Sequence, residues 1–181
     1  PAYLWPYSAY LAALHSSVKN APTDRRTLEA YKKALEGLAA YDTGRNAVQG
    51  PGGRSYAASY GGRGDVYYDD NMWVALAYLD AYAVFGDPAY LTGARQTADY
   101  CSSGWDDVLG GGIYWCEKTK DTKNTCSNAP MVLVSVRLYE ATGDRAYLEW
   151  AERIYNWTRE NLRDPSDGLY YDKLDTAGTL Y

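Results

Sequence analysis

Phenylalanine, histidine and methionine are almost missing from this 181-residue chain: it has one Phe, one His and two Met. With His15 as the sole histidine, zinc sites built on several histidines cannot form, and a Ser-His-Asp triad could draw only on that residue. The three cysteines, Cys101, Cys116 and Cys126, form no C-x-x-C pair, so a zinc knuckle or a thioredoxin-like site is unsupported. An odd count leaves at least one thiol without an intrachain partner; Cys116 and Cys126 could pair in an oxidising compartment. No apolar run reaches the ~20 residues a membrane helix needs. No charged-then-apolar leader opens the chain, whose start reads as a mature or cut end. Basic residues do not dominate either. Eighteen Lys and Arg against 23 Asp and Glu give a net charge of −5, a poor basis for binding nucleic acid or an anionic membrane.

Tyrosine and tryptophan are abundant instead, with 20 and 6 copies. Each joins a flat ring to a polar tip, which suits partly wet surfaces. Such rings could stack on sugar faces, or the bias could be one of composition alone. The hydrophobic share of 46% and charged share of 23% are those of a globular domain.

The chain repeats itself. Tyr82 to Leu91 reads YAVFGDPAYL and Tyr139 to Leu148 reads YEATGDRAYL, 57 residues on. Asp24 to Leu28 is a weaker third copy. Gly closes one helix in a left-handed cap and Asp caps the next, so the unit is a helical hairpin. Apolar spacing at Met72, Leu76, Leu79 and Ala83, and more loosely at Leu133, Val136, Leu138 and Ala141, supports helices. We expect them near 6–19, 25–41, 70–85, 88–102, 129–142 and 145–162, with Pro6 and Pro88 at first helical positions. The long connections carry a Gly followed by aromatics: Gly64 to Asp69, Gly112 to Trp115 and Gly168 to Asp172. These loops are expected at one end of the array. The stretch Gly50–Gly64 holds six glycines in fifteen residues and reads as a flexible loop. It lacks the Gly-Lys-Ser/Thr ending of a phosphate cradle.

The sharpest local feature is Tyr67-Tyr68-Asp69-Asp70-Asn71-Met72-Trp73. Two adjacent carboxyls stand where an aromatic loop enters a helix. The helix N-terminus favours an ionised Asp69. Asp70 then feels a like charge, which favours its protonated form. One carboxylate and one carboxylic acid are what glycoside hydrolysis needs. The bland reading is that both merely cap the helix. Asp106-Asp107 reads as a solvated turn, and Asp80, on the same helical face as Asp69, as a structural hydrogen-bonding residue. The polar run Asn124–Pro130 could line a pocket or cap the fifth helix. Asn156-Trp157-Thr158 is a glycosylation sequon placed mid-helix.

Taken in order, Tyr68-Asp69-Asp70-Asn71 with Trp73, Gly104-Trp105-Asp106, Gly110–Trp115, Lys123–Pro130 and Tyr139–Asp144 resemble glycoside hydrolase family 76. The resemblance runs from Leu4-Trp5-Pro6-Tyr7-Ser8 to Gly168–Asp172. It implies an all-α fold, the helical hairpins of an (α/α)6 barrel. It also implies retaining endo-hydrolysis of α-1,6-mannosidic bonds without metal or cofactor. The substrate would be α-mannan or a manno-oligosaccharide, met in a secreted, periplasmic or cell-surface setting. The match places the nucleophile on Asp69 and the acid/base on Asp70. It places Trp5, Tyr7, Tyr68, Trp115, Asn124 and Asn128 near the cleft. Six hairpins of this period would need about 340 residues. Residues 1–181 are therefore expected to form only part of one barrel domain, without its first inner helix and without all that follows the sixth or seventh helix. Inner helix faces would stand exposed. Two other readings stay open: a non-catalytic glycan-binding toroid, and a helical-repeat interaction module.

Overall fold

The computed structural model describes residues 2–46 and 53–181. Among the described residues six α-helices alternate down and back: α1 Leu4–Asn20, α2 Arg25–Glu36, α3 Tyr68–Phe85, α4 Pro88–Ser102, α5 Thr125–Thr142 and α6 Arg145–Leu162. They pair as hairpins α1/α2, α3/α4 and α5/α6. Among the described residues the only strands are two short antiparallel ladders, β1 Asp42–Asn46 with β2 Arg54–Tyr56, and β3 Thr122–Asn124 with β4 Lys173–Asp175.

The hairpin turns follow from their residues. Gly86 and Gly143 end α3 and α5 at φ of 66° and 72°, a conformation that glycine adopts at little cost. Asp87 and Asp144 then cap α4 and α6 by accepting from the backbone N–H of Ala89 and Ala146. Asp24 caps α2 through the Thr27 N–H, so the weak third copy of the repeat is a real one.

Several boundaries differ from expectation. Helix α1 begins at Leu4, which moves Pro6 to the third helical position. That N–H is among the four a helix leaves unpaired anyway, so proline costs nothing there. Helix α2 stops at Glu36 and continues as a 3₁₀ turn over Gly37–Tyr41. Helix α5 starts at Thr125 and runs straight through Pro130. Residues 47–52, which carry part of the glycine-rich loop, lie outside the described residues.

Helices α1, α3 and α5 lie side by side, with α2, α4 and α6 behind them. Central α3 is buried on several sides, including Met72, Val74, Ala75, Leu76, Ala77 and Leu79. Two apolar clusters meet on it: one joins α1, α2 and α3, the other α3 to α6. The expected apolar face is only partly inward, since Ala83 and Leu133 are exposed. Asp80 on α3 binds Arg137 on α5 at 2.6 Å and His15 on α1 at 3.0 Å. One carboxylate thus ties the three inner helices together. Asp80 and Arg137 stand 57 residues apart, one repeat period.

Candidate active site

The aromatic loops gather at one end. Tyr67 and Cys116 form a β-bridge, and the Tyr68 N–H donates to the Trp115 carbonyl at 2.9 Å. The 64–69 and 110–117 segments are therefore laced together directly above the first turn of α3. There the cap position is Tyr67, whose side chain makes no capping bond. Asp69 and Asp70 are the second and third helical residues, so neither is the cap. Both line a cavity of about 460 Å³. Its walls include Tyr3, Trp5, Tyr67 and Trp115, with Asp65 at its edge. Trp115 packs on Tyr67 at 4.7 Å between ring centres and remains 39% exposed.

The two carboxyls differ in state. Burial raises the Asp70 pKa to about 7, with the charge of Asp69 adding to the rise. Burial also raises the Asp69 pKa, against the pull of the Cys126 thiol, local backbone N–H groups and Trp115. The helix end therefore does not hold Asp69 below its ordinary value, as charge at a helix terminus alone would suggest; desolvation outweighs it. Of the two, Asp70 is the carboxyl raised as far as about 7. Asp69 Oδ1 is buried with no hydrogen-bond partner, an unusual state for a carboxylate oxygen.

The structure brings Trp5, Trp115, Asp69 and Asp70 to this cavity. Tyr7, Tyr68, Asn124 and Asn128 do not line it. The Tyr7 hydroxyl donates to the Ala34 carbonyl at 2.7 Å and ties α1 to α2. Tyr68 is buried and stacks on Tyr100. Asn124 is buried with its Oδ1 unpartnered. Asn128 is fully buried: it accepts from the Ile113 N–H at 2.8 Å and donates to the carbonyls of Ile113 and Asn124. Asn71, one repeat period earlier, does the same to Tyr56 and Tyr67. The two asparagines are equivalent loop clamps at the start of successive inner helices.

Tyr3, Tyr67, Asp65 and Cys126 were not singled out as site residues from the sequence. Only Tyr67 carried a signal, as part of the aromatic run before the Asp pair. The three thiols are all free; Cys126 is exposed beside Asp69 rather than bonded to Cys116. Asp106 is not a plain solvated turn either, since it binds the buried Lys123 at 2.7 Å. Among the described residues no three His, Cys, Asp or Glu side chains converge as a metal site requires.

A hairpin array that sets an Asp pair on the end of an inner helix, under aromatic walls, has the form of the helical-toroid glycosidases. Comparison with known proteins makes this specific. The chain belongs to glycosyl hydrolase family 76, whose model matches residues 1–180. The GH76 α-mannanase of Bacteroides thetaiotaomicron superposes with a TM-score of 0.88 at 31% identity, over 99% of this chain and 50% of that one. An inactive variant of the GH76A α-1,6-mannanase of Salegentibacter sp., with two consecutive Asp changed to Asn and α-1,6-mannotriose bound, superposes with a TM-score of 0.80 at 30% identity, over 98% of this chain and 48% of that one. Mannan endo-1,6-α-mannosidase DCW1 of Saccharomyces cerevisiae is 34% identical over 99 residues, which cover 49% of this chain and 22% of that protein. The chain thus spans about half the length of the solved structures it matches, and its three hairpins are part of an (α/α)6 barrel.

Proposed function

We propose that this chain carries the catalytic half of an endo-acting α-1,6-mannanase that hydrolyses mannan by double displacement. The observation that carries the reading is the Asp69–Asp70 pair, which lines an aromatic cavity from the first turn of α3, past its cap position Tyr67. That two consecutive Asp were changed to make the Salegentibacter enzyme inactive supports it. Asp69, with its unpartnered Oδ1, attacks the anomeric carbon of a mannosyl unit and forms a glycosyl ester. Asp70, protonated near neutrality, donates to the departing oxygen and then takes a proton from the incoming water. Trp115, Tyr67 and Trp5 offer rings for the sugar faces. A polymeric mannan is met outside the cell membrane, and no helix among the described residues is long and apolar enough to cross one.

The test is incubation of the full gene product with linear α-1,6-mannan. Chain lengths of the products are followed, with NMR of the first-formed anomer. Manno-oligosaccharides released with the α-configuration retained support the reading. Inverted first product, or no cleavage, contradicts it.

A further inference from the structure

Lys123 is completely buried, which for a lysine demands an unusual set of partners. Its ammonium donates to the Asp106 carboxylate at 2.7 Å, the Val108 carbonyl at 2.7 Å and the Gly111 carbonyl at 2.5 Å. A longer contact, 3.4 Å, reaches the Asp106 carbonyl, so the three N–H groups have no shortage of acceptors. The ammonium also sits 4.5 Å from the ring centre of Tyr114. Every one of these partners belongs to the loop 106–114.

The loop's own bonds are few: within it the Gly110 N–H donates to the Asp107 carbonyl at 3.0 Å and the Gly111 N–H to the Val108 carbonyl at 3.3 Å, and Asn128 clamps its far end at Ile113. Leu109, Gly110, Gly111 and Gly112 are four successive residues with positive φ, at 59°, 72°, 140° and 87°. Such a run makes no ladder of its own, and at Leu109 the conformation is strained. The carbonyls of Val108 and Gly111 converge on the ammonium. Trp157 closes the other side: its indole N–H donates to the Leu109 carbonyl, and a Cβ on Gly112 would lie 2.4 Å from its ring. Beyond the loop the chain runs straight to the site. The Trp115 N–H donates to the Thr122 carbonyl next to Lys123, and the Trp115 carbonyl accepts from Tyr68, the residue before Asp69.

We propose that Lys123 is the positioning residue of the active site: its buried ammonium folds the 106–114 loop and thereby fixes Trp115 against Tyr67 at the cavity wall. For its consequence in sugar binding, this rests on the mannanase reading above. Lys123→Met keeps the stem and removes the ammonium. Amide hydrogen exchange on the full gene product should become at least about tenfold faster in peptides spanning 106–116 and 66–70, with helices α4 and α6 little changed. Unaltered exchange in those peptides, or equal acceleration everywhere, overturns the proposal. Should Lys123→Met fail to fold, Asp106→Asn decides: it should loosen the same peptides by a smaller factor, and no loosening overturns the proposal. Affinity for α-1,6-mannotriose should drop in Lys123→Met, and drop no further when Lys123→Met is added to Trp115→Ala. Additive losses would refute action through Trp115. If Trp115→Ala leaves mannotriose affinity untouched, the sugar-cleft reading fails, while the exchange result still decides the role of Lys123.

Discussion

Asp70 is the residue whose environment makes the most specific demand. The residue is 8% exposed, and burial, with the charge of Asp69 beside it, pushes its carboxyl up to about 7. In the unfolded chain it would titrate near the ordinary ~3.9. Between those values the native state keeps a proton that the unfolded state releases, so this group's contribution to stability falls as pH rises from about 4 to about 7. Asp70→Asn should flatten the decline, seen as urea midpoints that drop less than those of the parent between pH 4 and 7. The same proton shapes catalysis. Turnover on mannan should fall as pH rises through about 7, because a deprotonated Asp70 cannot protonate the leaving oxygen. An activated aryl mannoside, whose leaving group needs no proton, should lose that alkaline limb. An unchanged limb on both substrates would remove Asp70 from the acid role.

At the scale of elements, the hairpins were readable because their signals are local: a Gly that can take positive φ, then an Asp that reaches an N–H two residues on. The Asp pair was readable for the same reason. The loop clamps were not. The family resemblance puts Asn128 near the cleft, and the sequence could not check it, because a polar cluster at a helix start has the same composition whether it faces a ligand or a neighbouring loop. What decides is the burial of Ile113 against it, a contact fifteen residues away. Lys123 gave no signal as an organiser because two of its partners are the carbonyls of Val108 and Gly111, which have no residue identity, and its carboxylate partner Asp106 lies 17 residues away in sequence. The distinction is testable. Asn128→Ala should destabilise the fold by about 1–3 kcal/mol for each buried group left unpaired. Chemical denaturation should show this, and Asn71→Ala should match it. A variant of normal stability with weakened sugar affinity would instead return Asn128 to the cleft.

For the whole molecule, the inner face is the feature that stands out. Trp5, Trp73 and Leu133 are 62%, 39% and 49% exposed around a second cavity of about 450 Å³ that shares Trp5 with the first. Large apolar side chains gathered on one face favour association. The 181-residue chain in isolation should self-associate or unfold at modest temperature. Sedimentation velocity together with thermal melting checks this; a monomer with a cooperative, high-temperature transition would contradict it. The central claim, however, is that Asp69 attacks the sugar. Its most direct test is the rate of linear α-1,6-mannan hydrolysis by Asp69→Ala in the full gene product, with circular dichroism confirming the fold. The account predicts a loss of at least about 10²–10⁴ in rate. Near-normal turnover by a folded Asp69→Ala protein would contradict it and leave Asp69 a bystander in the first turn of α3.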